Sequence, residues 1–191
     1  MKKVSMSGSP RENVGKKDAK ALRNQGLVPC VLYGGEKQYH FAIPEKNFGP
    51  VIFTPFTFVV ELEVGGKKFN TIIQDAQYHP TTESMLHVDF LEVKEDKPVV
   101  ISLPIRISGT SPGVLRGGKL FTKFRKLKVK GLISQLPELV EIKIDDLNVG
   151  DSIKVADVKI PNVELLDKPK NIVVGVQAAR NMVADDPAAK K

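Results

Sequence analysis

Tryptophan is absent from this 191-residue chain, aromatic residues make up 6% of it, and cysteine occurs once, at position 30. A single thiol builds neither an internal disulfide framework nor a cysteine-based zinc site. Cys30 lies in the apolar run LVPCVLYGG, where a small buried thiol is expected and a catalytic one has little support. With so few aromatics, the expected core is aliphatic. No apolar stretch approaches the roughly 20 residues that a membrane-spanning helix needs. The segment MKKVSMSGSPREN has two lysines but no apolar run behind them, so it is not read as a secretory signal, and a cytosolic location is expected. Phosphate loops of the P-loop or dinucleotide type are missing.

What is present is ordinary hydrophobic content, 41%, with 27% charged residues and a net charge of +7. The length allows one large domain or two modest ones. The positive balance favours an anionic partner, with nucleic acid first and a membrane surface second; a basic protein without a specific anionic ligand is the bland alternative.

The first 25 residues hold seven Lys/Arg and two acids. GKKDAKALRNQG predicts a short helix, with Asp18 near its start and Gly26 ending it. Lys16, Lys20 and Arg23 fall at i, i+4 and i+7 and share a face, while Ala19 and Leu22 point elsewhere. A solvated helix often carries such a face, but the excess of one sign makes it more informative. VPCVLYGG predicts a buried strand, YHFAIP a second, and PEKNFGPVIFT a short helix limited by Pro50. In FVVELEVGGKKFNTIIQDAQ, Val60, Leu62 and Val64 alternate with Glu61 and Glu63. Gly65-Gly66 then turns the chain, and Phe69, Thr71 and Ile73 continue on the return, as in a hairpin.

MLHVDFLEV predicts another strand, with Leu86, Val88 and Phe90 on the buried face and His87 and Asp89 together on the exposed one. The charged, proline-ended EVKEDKP, 92–98, reads as a domain boundary, dividing 1–95 from 96–179 and leaving a polar, Ala-rich tail, 180–191, expected to fray. In the second part, VVISLPIRISG, LKVKGLI, LVEIKIDDL, DSIKVADVKI and NIVVGVQ are short alternating strands, an all-β pattern of sandwich or barrel type. The segment SPGVLRGGKLFTKFRKLKVKG carries Arg116, Lys119, Lys123, Arg125, Lys126, Lys128 and Lys130 with no acid among them. Lys126, Lys128 and Lys130 alternate with Leu127 and Val129, which makes one strand face basic. Two readings stand: an edge strand protected by lysines, or a second surface against phosphates with a glycine-containing loop draped on a partner.

The pair His87 and Asp89 poses the functional question. A metal site could draw on His79, His87 and Asp89, but the histidines are eight apart with Pro80 between them and no third strong ligand is marked. Catalysis needs a nucleophile or a substrate pocket, and Ser84 falls on the opposite side of a strand from His87. Recognition is the third reading. A polar sheet face beside a basic helix suits RNA, with lysines and arginines on phosphates and sheet residues on base edges or 2′-hydroxyls. Asp89 would then have to accept from a base amino or imino group, since a carboxylate facing a polyanion is otherwise unfavourable. The bland counterpart is a pair bonded within its own neighbourhood on an exposed sheet.

RENVGKKDAKALRNQGLVPCVLYGG and QDAQYHPTTESMLHVDFLEV resemble the bacterial large-subunit ribosomal protein family numbered twenty-five, in its longer CTC or general-stress form. The resemblance is carried by Arg11, Gly15-Lys16, Leu22-Arg23, Gly26, Pro29 and Tyr33-Gly34. Gln74-Asp75, His79-Pro80 and His87-x-Asp89-Phe90 follow in the same order. It covers about 4–95 by motif and 97–179 by domain order and strand pattern. It implies a mainly β protein: a small N-terminal β-barrel with short helices, resembling the anticodon-binding barrel of glutaminyl-tRNA synthetase, followed by a C-terminal all-β domain. It implies a structural role and no enzymatic activity, cofactor or metal. The implied ligand is the loop E and helix IV region of 5S rRNA in the central protuberance of the large subunit, with neighbouring rRNA and ribosomal proteins as further partners. Arg11, Lys16, Lys20 and Arg23 would contact phosphates, Tyr33 would support or contact the backbone, and Gln74, His87 and Asp89 would meet base edges and sugars. Lys20 stands where the family often has arginine, which replaces a bidentate fork with a point charge. A general stress function off the ribosome, through the C-terminal domain, is the alternative.

Overall fold

The computed structural model describes residues 1–94 and 96–178; the expected tail over 180–191 lies outside the described residues. The N-terminal half is a closed barrel of β1 (Lys2–Pro10), β2 (Leu27–Tyr33), β3 (Tyr39–Pro44), β4 (Phe58–Val64), β5 (Lys67–Tyr78) and β6 (Met85–Glu92). Around the barrel the order is β1-β3-β2-β6-β5-β4, with β1 parallel to β4, β2 parallel to β6, and the other neighbours antiparallel. Closure leaves no open sheet edge.

Local sequence explains most of these elements. The β4–β5 hairpin turns at Gly65 (φ 57°) and Gly66 (φ 77°), directly after the Val64–Lys67 pair, as a two-residue turn with both centres left-handed requires. Helix α1 (Lys16–Asn24) packs against β2 and stops where Gly26 takes φ 73°. The expected helix around Pro50 is split into a 3-10 turn, Glu45–Phe48, and a single turn α2 (Gly49–Ile52) with proline at its start, where no backbone N–H is needed. Thr71, fully buried, satisfies its hydroxyl on the Val60 carbonyl at 2.9 Å.

The aliphatic-core expectation needs correction in the barrel. Phe41, Phe48 and Phe90 are at most 1% exposed, and the Phe90 ring lies 5.6 Å from Phe41 and 6.3 Å from Phe48. Each such aromatic contact adds about 0.5–1.5 kcal/mol beyond burial. Low aromatic content overall conceals their concentration in one place.

The C-terminal half is all-β. One sheet has the order β10-β7-β9-β12, where β7 is Val99–Ser108, β9 Lys126–Gly131, β10 Val140–Lys143 and β12 Glu164–Leu165. The other has the order β11-β13-β8, where β8 is Lys119–Thr122, β11 Ser152–Lys154 and β13 Ile172–Gln177. Both sheets feed one aliphatic core, with Leu103, Leu127 and Val129 from the first and Val173, Val174 and Val176 from the second. Three expectations change here. The glycine-containing segment after β7 is not a draped loop: it forms the turn α3 (Pro112–Leu115), capped by Ser111, and then β8. DSIKVADVKI is strand only over Ser152–Lys154, because Asp157 caps the backbone N–H of Lys154 and winds the next residues into a 3-10 turn. Finally, β9 is not an edge strand. It pairs with β7 on one side and β12 on the other, and the backbone of Lys128 is engaged by Asp167 and Leu166.

The two halves interlock through β5. Thr71 and Ile73 face the barrel, whereas Ile72, 0% exposed, packs into the C-terminal core together with Val93 and beside Leu91 and Met1. The run Thr71-Ile72-Ile73 thus serves two cores. Across the same junction, the Thr57 N–H donates to the Glu138 carbonyl at 3.4 Å.

Candidate nucleic-acid interface

Two irregularities in the β5–β6 ladder set the polar face. On β5, Gln74 is an extra residue between the Ile73–Phe90 and Asp75–Asp89 pairs. On β6, Leu86 is an extra residue between the Gln77–His87 and Tyr78–Met85 pairs. The second bulge corrects the expected inward face: Met85, 5% exposed, fills the barrel beside Val88 and Phe90, and Leu86 is only half-buried. The bulge also leaves the Leu86 carbonyl to accept from Arg23 Nε at 3.0 Å, which ties α1 to the β6 backbone.

His87 and Asp89 lie on the outer face, as their alternation requires, with about a third of each side chain exposed. They bond directly, His87 Nδ1 to Asp89 Oδ1, at 2.7 Å. The carboxylate oxygen accepts, so Nδ1 carries the proton and Nε2 is the ring's remaining polar atom. Pairing across the strands adds two residues that sequence reading did not select: Gln77 opposite His87, and Asp75 opposite Asp89. Like charges placed directly opposite are unfavourable for the sheet alone. The phenol of Tyr33 borders this patch: burial, and then the charges of Asp89 and Asp75, raise its pKa above the ordinary tyrosine value. Strand pairing across β5 and β6 is the signal for Asp75 and Gln77, and it is not local in sequence.

His79 plays a different part. Its Nδ1 takes contacts from the Thr81 hydroxyl at 3.0 Å and from the backbone N–H groups of Thr81 and Thr82, closing the 79–84 loop. No group of three metal-ligating side chains exists among the described residues.

The basic residues separate into distinct settings. Lys16, Lys20 and Arg23 are exposed along α1, and the two lysines have no ion-pair partner among the described residues. Arg11 is turned inward instead. Its side chain is 9% exposed, and Nη2 bonds Asp18 at 2.7 Å and the Asn13 carbonyl at 3.1 Å. It joins the end of β1 to the first turn of α1, so it orients the cationic helix. In the C-terminal half, Lys126, Lys128 and Lys130 line the outer face of β9, with Lys130 3.8 Å from Glu164. Arg116 and Lys119 belong to the α3–β8 region, and Lys123 and Arg125 join β8 to β9; all four are exposed. Only the three lysines of β9 share a strand face.

A closed barrel with a polar sheet face beside a cationic helix, followed by an all-β half, is the architecture of a small basic β-protein. The chain belongs to the ribosomal L25p family, whose profile matches residues 6–90; the profile of the ribosomal protein TL5 C-terminal domain matches 98–180. It is 40% identical over 191 residues to the large ribosomal subunit protein bL25 of Cytophaga hutchinsonii, covering all of both chains. It is 38% identical to that of Porphyromonas gingivalis over 193 aligned positions, again covering both chains completely, and 37% identical to that of Phocaeicola vulgatus over 94% of each. The family is one of ribosomal structural proteins rather than enzymes.

Proposed function

We propose that this protein is a structural constituent of the large ribosomal subunit that binds 5S rRNA at its loop E and helix IV region, in the central protuberance, and so acts on cytoplasmic ribosomes. The observation that carries the reading is the fixed junction of charge and polarity: Arg23 Nε on the Leu86 carbonyl holds the α1 cations beside the His87–Asp89 pair. Lys16, Lys20 and Arg23 supply phosphate contacts and Tyr33 supports the backbone, while Gln74, His87 and Asp89 meet base edges and sugars in a widened minor groove. Arg11, bonded to Asp18, acts by positioning α1. The six-stranded closure supports a likeness to the anticodon-binding barrel of glutaminyl-tRNA synthetase. The two separate cores support a division into a 5S rRNA-binding domain, 1–95, and a C-terminal β-domain, 96–179, that touches neighbouring ribosomal elements. The Arg116–Lys130 cations supply a second basic surface there, with Lys126, Lys128 and Lys130 presented together.

The test is co-sedimentation with large subunits and retention of isolated 5S rRNA. Binding should weaken with salt by a log–log slope of about 0.7–0.9 per phosphate contacted. Loss of 5S rRNA retention at moderate salt refutes the proposal. Retention of RNA without association with subunits points to the stress-related role off the ribosome.

A further inference from the structure

A cleft of about 310 Å³ opens where β5 meets the loop before β4 and the outer side of the C-terminal sheet. Its walls include Phe56, Gln74, Asp75, Tyr78, Ser102 and Lys126, so both halves of the chain contribute. The volume sits at the lower end of the roughly 300–1,000 Å³ range of small-ligand sites, too small for a helix and suited to one nucleotide-sized group. Asp75 and Lys126 both line it, yet neither has an ion-pair partner among the described residues. A carboxylate and an ammonium that share a cleft without meeting leave an acceptor and a cation open to a ligand carrying both an amino group and a phosphate. Two aromatic rings supply stacking surfaces, and Lys2 Nζ, 4.7 Å from the Phe56 ring centroid, brings a second cation to that wall. Beside it, Phe53 exposes 82% of its surface between the lining residues Ile52 and Thr54. The cleft continues the recognition face, because Asp75 stands opposite Asp89.

We infer that this interdomain cleft receives a single unstacked nucleotide of the bound RNA, one whose base carries an exocyclic amino group. The base stacks against Tyr78 or Phe56 and donates its amino hydrogen to Asp75, while its phosphate lies toward Lys126. The inference rests on the RNA-binding reading and deepens it: the C-terminal half completes a site on the barrel and is not simply appended to it.

The experiment is nucleotide-resolution chemical probing of 5S rRNA with the full chain, using both base-specific and backbone-flexibility reagents. One nucleotide should lose base reactivity while its backbone becomes more reactive than in free RNA. Tyr78→Ala and, independently, the exposed-site variant Lys126→Glu should each restore the free pattern at that nucleotide and weaken binding about tenfold, a loss within the range of one stacking contact. Lys16→Ala, saturated with protein, should keep the signature. A footprint without such a nucleotide, or a signature that survives both cleft variants with unchanged melting temperatures, overturns the inference while the RNA-binding reading stands. A photo-crosslinker at Thr54 that captures a ribosomal protein in place of RNA does the same. Absence of any footprint removes the RNA-binding reading and the inference together.

Discussion

Replacing Asp18 by alanine separates two accounts of the cationic helix. The change makes the RNA-facing side one unit more positive, so long-range attraction by itself predicts tighter RNA binding. The structure predicts the reverse. Asp18 is the carboxylate that holds the Arg11 guanidinium, at 2.7 Å, and the Arg11 side chain is 9% exposed while Asp18 is 38% exposed. Among the described residues Arg11 Nε already has no hydrogen-bond partner, so losing Asp18 leaves a nearly buried cation with little besides the Asn13 carbonyl. Breaking a fully buried pair costs about 3–5 kcal/mol. Water can partly replace the half-exposed Asp18, which lowers the expectation to roughly 1–3 kcal/mol. For a chain of this size that is a fall in melting temperature of about 2–12 °C. Thermal unfolding followed by circular dichroism reads the first effect, and 5S rRNA titration at 25 °C reads the second. Binding should weaken several-fold, because α1 loses one of its two ties and is held beside His87 and Asp89 by Arg23 alone. An unchanged melting temperature together with equal or tighter RNA binding would falsify the positioning role of Arg11.

Three further outcomes follow from the same geometry. Lys16→Ala should weaken binding evenly across RNA sequences and lower the salt slope by about 0.7–0.9, whereas Asp89→Ala should lose discrimination between sequences with little change in slope; equal slope losses would contradict the assigned roles. Ile72→Ala should cost about 2–5 kcal/mol, and hydrogen exchange should rise around Leu103 and Val173 before the barrel interior; a loss confined to the barrel would refute its place in the C-terminal core. Burial pushes the Cys30 thiol well above its ordinary value of 9.0. It therefore holds its proton more tightly folded than unfolded. The corresponding stability is complete below pH 9 and falls by up to about 1.4 kcal/mol per pH unit above it, and Cys30→Ala should remove that component from an alkaline denaturation series.

The alternation MLHVDF put His87 and Asp89 on one outer face, and the i, i+4, i+7 spacing put Lys16, Lys20 and Arg23 on one side of α1. Each is a local consequence of backbone period, so each was readable from sequence. The Gly65-Gly66 turn was readable for the same reason: its left-handed centres are a property of two adjacent residues. The shift of Met85 into the core in place of Leu86 was not, because a bulge exists only relative to the strand it pairs with. Asp75 joined the site through cross-strand pairing, and the β9 lysines lost their edge-strand reading through a two-residue partner, Glu164–Leu165. Arg11 looked like one more surface cation until folding placed Asp18 against it.

Local residue patterns set the alternating faces, the helix and its cationic side, the hairpin, and the family that these motifs mark. Tertiary structure alone decided which cation holds the helix, which residues oppose one another across β5 and β6, and that Ile72 packs into the C-terminal core while Ile73 faces the barrel. The physical reason is range. Side-chain direction follows from a period of a few residues, whereas burial, pairing register and the cleft between the halves depend on contacts between segments tens of residues apart, which no local pattern encodes.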